Sequence, residues 1–157
     1  MPRVKPTRTP MAEQAAEERI RNFDEVPYGY TVEEAMAEAQ RCLLCKRPTC
    51  MDGCPVHINI VGFLELAAKG DFRAAINLIK ESDALPAITG RVCPQETQCE
   101  QVCVLARKYE PVAIGRVERF LADWEASQGD MPTPEPASPS GKRVAVVGSG
   151  PAGLTVA

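Results

Sequence analysis

Seven cysteines, spaced Cys42-x2-Cys45-x4-Cys50-x3-Cys54-Pro55 and Cys93-Pro94-x4-Cys99-x3-Cys103, constrain this chain more than any other feature of its sequence. Thiols at such intervals serve as disulfides, as metal ligands or as reduced core residues, and the redox setting decides among them. An odd count leaves one cysteine over from a fully paired disulfide framework. The run from Met1 to Pro10 has no apolar stretch of the kind a secretion signal needs, and no segment approaches the ~20 apolar residues of a membrane span. The expected setting is therefore cytoplasmic, where thiolate-bound metal persists and disulfides are rare.

The spacing favours iron–sulfur over zinc. A cubane needs four ligands at tetrahedral corners, and C-x2-C places two thiolates on one side with backbone N–H groups free to donate to sulfur. Bacterial two-cluster runs end in x3-C-P, whose last cysteine ligates the other cluster, and Cys50-x3-Cys54-Pro55 keeps that ending. Zinc usually recruits paired C-x2-C knuckles, and only Cys42-x2-Cys45 occurs here. The second half echoes the first, since each ends in a C-x3-C pair able to give one thiolate to each of two neighbouring clusters. At four ligands each, two [4Fe–4S] clusters use one donor more than the seven thiolates supply. His57, Glu96, Glu100 and Glu118 are the candidates for that donor. The first three sit close to ligating cysteines and are hard to aim at a different corner, whereas Glu118 lies on a later helix. His57 also reads as a plain loop hydrogen-bonder.

Composition agrees with a metal-assisted core. Aromatic residues make up only 5% of the chain, so its interior must be built from aliphatic side chains or supplemented. The net charge of −3 leaves no basic excess to neutralise phosphates, which argues against nucleic-acid binding.

Local patterns predict a mainly α fold. A flexible arm over residues 1–20 leads into a short helix. The capping box Thr31-x-x-Glu34 opens a helix over 32–44, which carries the first cysteines at its end. A loop covers 46–57. Helices over 58–69 and from Asp71 to about Ser82 form a hairpin around Gly70. A loop spans Pro86, Gly90 and Pro94, a second capping box at Thr97-x-x-Glu100 opens a helix to about Leu105, and a last helix covers 114–127. The helical iron–sulfur domain is thus placed at 21–127. Residues 128–141, rich in Pro and Ser, read as a linker.

From 142 onward the pattern changes. Arg143-Val-Ala-Val-Val147 reads as a buried strand, followed by Gly148-x-Gly150-x-x-Gly153 and the opening of a helix, the start of a truncated Rossmann-like domain. In that fingerprint the first glycine allows the tight turn, the second admits a pyrophosphate to the backbone, and the third packs helix on strand. The rest of the βαβ unit is not in the chain, so a longer protein is expected.

These residues also resemble a known family. Arg19-Ile-Arg-Asn-Phe-Asp-Glu-Val26, Arg41-Cys-Leu-Leu-Cys-Lys46, Asp52-Gly-Cys-Pro-Val-His57, Gly90-Arg-Val-Cys-Pro94 and Pro111-Val-Ala-Ile-Gly-Arg-Val-Glu-Arg-Phe120 are similar to the N-terminal domain of the glutamate synthase small (beta) chain family. That family includes the large subunit of NADH-dependent ferredoxin:NADP oxidoreductase and part of dihydropyrimidine dehydrogenase. The resemblance covers roughly 19–157. It implies two [4Fe–4S] clusters ahead of a flavoprotein with FAD and NAD(P)H sites, one cluster on Cys42, Cys45, Cys50 and Cys103, the other on Cys54, Cys93 and Cys99. In the dihydropyrimidine dehydrogenase relatives the remaining ligand is a glutamine, at the position of Glu118. Gly148, Gly150 and Gly153 match the glycines that hold the FAD pyrophosphate.

The implied function is electron transfer within a flavin-dependent NAD(P)H oxidoreductase, with a larger subunit or a ferredoxin-type protein as partner. The alternative is a metal-stapled helical docking module without a redox role, which exposed apolar residues on the 58–82 hairpin would favour. Arg41, Lys46, Arg47, Arg91 and Arg107 flank the cysteines and either offset cluster charge or are solvated surface groups.

Overall fold

The computed structural model describes residues 4–129 and 135–157. Residues 1–3 of the expected arm and 130–134 of the expected linker lie outside the described residues.

The chain is mainly helical. In order come β1 (Ala12–Glu13), α1 (Ala16–Arg19), β2 (Pro27–Gly29), α2 (Val32–Ala39), α3 (Thr49–Asp52), α4 (Ile60–Ala68), α5 (Phe72–Lys80), α6 (Pro86–Val92), α7 (Ile114–Gln128) and α8 (Pro151–Val156), with 3-10 turns at Gln95–Thr97 and Val104–Arg107. Strands β1 and β2 form one small antiparallel pair.

Helices α2, α4, α5 and α7 enclose the core. Helix α4 buries Phe63, Leu64 and Ala67, α5 buries Phe72, Ala75, Ile76 and Ile79, and α7 buries Val117, Phe120 and Leu121. These positions fall at helical spacing, which is why periodicity located the helices. Phe72 meets Phe120 edge-on at 5.1 Å and Trp124 at 5.6 Å. The expected caps form: Thr31 and Glu34 complete a capping box, and the Asp71 side chain accepts from the Ala74 N–H. Asn59, which the sequence reading passed over, caps α4 by accepting from Gly62 N–H. The large apolar side chains of the 58–82 hairpin are buried or half-buried.

Five expectations are corrected, the first being the loop expected over 46–57, which contains the short helix α3 at Thr49–Asp52. The helix at 32 ends at Ala39 rather than 44, because the chain tightens to a bond from Cys42 N–H to Ala39 O and then enters positive φ at Leu44. Residues 86–92 are helical, not a loop. Pro86 occupies the first turn, where its missing N–H costs no helical bond, and Gly90 is there for contact. No helix runs from 97 to 105. Thr97 donates its hydroxyl back to Pro94 O and Glu100 is engaged elsewhere, so neither side chain caps. Finally, the arm is fastened from residue 4 onward. Val4 and Met11 pack on the core, and Tyr30 donates its hydroxyl to Thr9 O at 2.7 Å.

Beyond the expected linker, 143–147 is not assigned as strand, since among the described residues it has no neighbour to pair with. The glycine turn is formed locally. Gly148 has φ +113°, and a Cβ on Gly153 would come 2.2 Å from Gly148 O.

A buried ion pair ties the arm to the helices. Glu38, fully buried, accepts from Arg41 Nη1 at 2.6 Å, from Ala113 N–H at 2.8 Å and from Thr9 N–H at 2.7 Å. Arg41 also donates to the carbonyls of Lys5, Pro6, Glu110 and Pro111. Removing one partner strands the other in the interior. Glu38→Ala is expected to lower unfolding free energy by about 3–5 kcal/mol, read from the urea midpoint of the helical circular dichroism signal. A shift smaller than that of an ordinary surface substitution would show the pair to be dispensable.

Helix α6 lies against α7 through Gly90, where an added Cβ would come 2.7 Å from Arg119 N and 2.9 Å from its Cα. Backbone atoms cannot step aside as a flexible side chain can. Gly90→Ala is expected to cost about 1–3 kcal/mol by the same measurement, as overpacking does. An unchanged midpoint would mean that the two helices part freely.

Candidate metal centre

The cysteines collect at two cavities. Cys42, Cys45, Cys50 and Cys103 line the first, with an empty volume of about 360 Å³ including its open side. Its other walls are almost wholly aliphatic, among them Val61, Leu64, Leu105 and Val112. Cys54, Cys93, Cys99 and Glu118 line the second, of about 550 Å³ on the same measure. Its walls are more polar and include Asp83, Thr89, Gln95 and Gln98. Ile114, the first residue of α7, lines both. One side chain therefore forms a common wall.

Local structure explains the sorting. Leu44, at φ +48°, reverses the chain after Cys42 so that Cys45 returns to the first cavity. Cys50 belongs to α3, and Cys54 follows just after it. The α3 turn lies against the 98–103 turn because Gly53 has no side chain: a Cβ there would come 2.7 Å from Val102 Cγ2 and 3.0 Å from Gln98 O. Thr49 Oγ1 reinforces the contact by donating to Val102 O at 2.5 Å. Each C-x3-C pair is consequently split, Cys50 and Cys103 at the first cavity, Cys54 and Cys99 at the second. Cys93 caps the end of α6 in an extended conformation that Pro94 maintains.

All seven cysteines are free thiols, Cys54 and Cys99 buried and the others half-buried. Burial pushes Cys42 and Cys93 above the ordinary thiol range and Cys50 and Cys99 up to about 12. Neighbouring acidic groups raise them further, Cys45 and Cys103 acting on Cys42, Glu118 on Cys93, and Glu100, then Cys54 and Glu118, on Cys99. Burial likewise raises Glu118 to about 7. Such donors are poor thiolates by themselves and become ligands when a cationic centre compensates the charge, with release of protons. Among the described residues no three His, Cys, Asp or Glu side chains converge on the point of a single ion. Both donor sets, four sulfurs in one cavity and three sulfurs with a carboxylate in the other, suit a cluster that fills a space.

Of the four candidates for the non-cysteine donor, only Glu118 lines a cysteine cavity. His57 and Glu96 are exposed. Glu100 is buried but points elsewhere, paired with Arg8 and accepting from Gly115 N–H at 3.3 Å. Burial raises its pKa, against the lowering effect of Arg8. Gln95 and Gln98, which the sequence reading did not single out, also line the second cavity, and only their nearness to Cys99 hints at it. The basic residues divide. Arg41 is consumed by the Glu38 pair and Arg91 by Glu25 and Asp123, while Lys46, Arg47 and Arg107 are exposed. Gly148 and Gly150 lie on a turn before α8 and Gly153 within that helix, far along the sequence from both cavities.

No described helix is long and apolar enough to cross a membrane.

Comparison with known proteins meets this geometry. Residues 19–130 match the family described as dihydropyrimidine dehydrogenase domain II, 4Fe-4S cluster. The chain is 37% identical over 155 residues to the glutamate synthase (NADPH) small chain of Escherichia coli K12, covering 99% of this chain and 32% of that one. The corresponding small chain of Halomonas elongata is 37% identical over 153 residues, 98% of this chain and 30% of its own. The NAD-dependent dihydropyrimidine dehydrogenase subunit PreT of Escherichia coli K12 is 37% identical over 132 residues, 84% of this chain and 32% of its own. The chain thus spans a third or less of the length of these curated relatives. With its cysteines gathered at cavities and its helical body matched end to end, the chain belongs to the dihydropyrimidine dehydrogenase domain II family of 4Fe-4S domains, an iron–sulfur module found in oxidoreductases.

Proposed function

We propose that this chain is the electron-carrying front of a flavin- and nicotinamide-dependent oxidoreductase and holds two [4Fe–4S] clusters. The observation that supports it best is the pair of cysteine cavities, each ringed by four donors and sharing Ile114 as a wall. Cys42, Cys45, Cys50 and Cys103 would hold one cluster, and Cys54, Cys93, Cys99 and Glu118 the other. When bound, the clusters would relay single electrons between an FAD, itself exchanging hydride with NADH or NADPH, and a partner subunit.

The protein's own residues would do the rest. Aliphatic side chains around the first cavity exclude water. Burial would favour the protonated thiols of Cys42, Cys50, Cys93 and Cys99 until iron arrives, and the two split C-x3-C pairs would hold the cavities at a fixed separation. We place the helical iron–sulfur domain at 21–127, a linker at 128–141 and the start of an FAD-binding domain from 142. Gly148, Gly150 and Gly153 there would approach the pyrophosphate. That reading is favoured by the positive φ of Gly148 and by the fit of Gly153 against its carbonyl. The partner would be a glutamate synthase large chain or a ferredoxin-type protein, in the cytoplasm.

Anaerobically purified protein is expected to contain iron and acid-labile sulfide in equal amounts, enough for two cubanes, with visible absorbance that dithionite bleaches. Cys42→Ser and Cys93→Ser should each deplete one cluster and leave the electron paramagnetic resonance signal of the other. Stoichiometric zinc without sulfide would defeat the proposal, and simultaneous loss of both signals in either variant would refute two separate ligand sets. In the longer protein, clusters that stay oxidised when NADH or NADPH is added would favour a docking role instead.

A further inference from the structure

A carboxylate is an awkward ligand on a helix. A cysteine reaches its metal through a short side chain, whereas Glu118 has three torsions to fix before one oxygen can occupy a defined corner, at an entropic cost. Something must hold it, and the structure supplies a candidate. Thr89, on α6, donates its hydroxyl toward Glu118 Oε1 at 2.7 Å. The same hydroxyl lies 2.5 Å from Asp83 Oδ2 and 3.1 Å from Leu85 O. Asp83 is itself held, its Oδ1 accepting from Leu85 N–H at 2.9 Å where the chain enters α6. Thr89 and Asp83 both line the second cavity beside Glu118.

The contact follows from the helix packing. Gly90, the next residue, brings the α6 backbone against Arg119, the residue after Glu118. Without that close approach a threonine side chain would not span from one helix to the other. The bond occupies only Oε1, and among the described residues no hydrogen bond engages Oε2. One oxygen is tethered and the other is left for a ligand.

We propose that Thr89 is a positioning residue, whose single hydroxyl proton, given to Glu118 Oε1, fixes the carboxylate so that its free oxygen completes the donor set of the second cavity, Asp83 Oδ2 and Leu85 O being rival acceptors of that proton. This rests on the reading of Glu118 as the non-cysteine ligand. Groups that hydrogen-bond a ligand from behind set its orientation and the retention of metal, and their loss weakens metal affinity by about 10–100-fold.

The test uses anaerobically purified holoprotein and compares wild type with Thr89→Val, Thr89→Ser and Glu118→Ala. Two properties are read for each: the rate of iron loss to an external chelator, and the electron paramagnetic resonance spectrum after dithionite reduction. Thr89→Val, nearly isosteric but without the hydroxyl, is expected to release the iron of one cluster about 10–100-fold faster and to alter that cluster's signal, the other being unchanged. Thr89→Ser, which restores the hydroxyl, should return both properties toward wild type. The unaffected cluster serves as the control for folding.

Each other result counts against the idea. Should Thr89→Val match wild type while Glu118→Ala disturbs one cluster, the ligand assignment survives and the positioning role does not. If Glu118→Ala also matches wild type, Glu118 is not a ligand and both claims fall. Equal damage from Val and Ser would trace the effect to packing and not to the hydroxyl. Loss of both clusters in Thr89→Val would mark a general folding defect, which equally overturns a local role.

Discussion

Two buried glutamates hold the start of α7, and the arrangement of both cavities depends on them. The helix has no side-chain cap of its own, since Ala113 occupies the cap position. Its first amides are satisfied from elsewhere, Ala113 N–H by Glu38 and Gly115 N–H by Glu100. Carboxylates suit that end of a helix, where the backbone dipole is positive. Each is balanced in turn by an arginine, Arg41 for Glu38 and Arg8 for Glu100. Because those partners come from α2, the N-terminal segment and the 98–103 turn, α7 is fixed against three separate parts of the chain. Ile114 is thereby set between the cavities, and Glu118, about one turn further on, at the edge of the second.

The fold was partly legible in the sequence, and the boundary has a physical basis. Helices α2, α4, α5 and α7 could be read because apolar residues recur on one face and because Thr31 and Asp71 announce their caps. Local pattern suffices where local interactions decide. It failed at α6, where Pro86 and Gly90 read as breakers. The proline sits in the first turn and the glycine serves the contact with α7, a tertiary demand that no neighbouring residue discloses. It failed in the opposite sense at 97–105. Thr97 and Glu100 have capping-box spacing, but Glu100 binds Arg8, some ninety positions away in the chain, and Gly115 N–H. The arm was misjudged for the same reason, as its polar backbone is satisfied by Tyr30, Glu38 and Arg41.

At the candidate site the cysteine spacing conveyed more than composition could. It suggested C-x3-C pairs able to bridge two clusters, and the lining residues divide each pair between two neighbouring cavities. Spacing along the chain carries this information because α3 and the 98–103 turn are short and lie side by side. What it could not supply was the identity of the polar residues around Glu118. Thr89, Asp83, Gln95 and Gln98 reach the second cavity only through the packing of α6 on α7 and the turns that follow. Arg41 shows the converse. Beside Cys42 in sequence it suggested a counter-charge for a cluster, yet its guanidinium is spent on Glu38 and four carbonyls.

The two cavities differ in a way that bears on electron flow. The first presents only sulfur and aliphatic groups apart from Thr49, and the second is edged by a carboxylate, a hydroxyl and two amides. Hydrogen bonds to a cluster, its net charge and its burial are the levers by which a protein sets cluster potential. Under the proposed ligation, a carboxylate replaces one thiolate at the second site and polar groups surround it, so the two centres would experience different surroundings despite their similar cysteine motifs. The near-repeat in the sequence therefore does not imply equivalent sites. The difference arises from α7, which contributes an apolar residue to both cavities and an acidic one to only the second, and so from the pair of buried glutamates that fix where α7 begins.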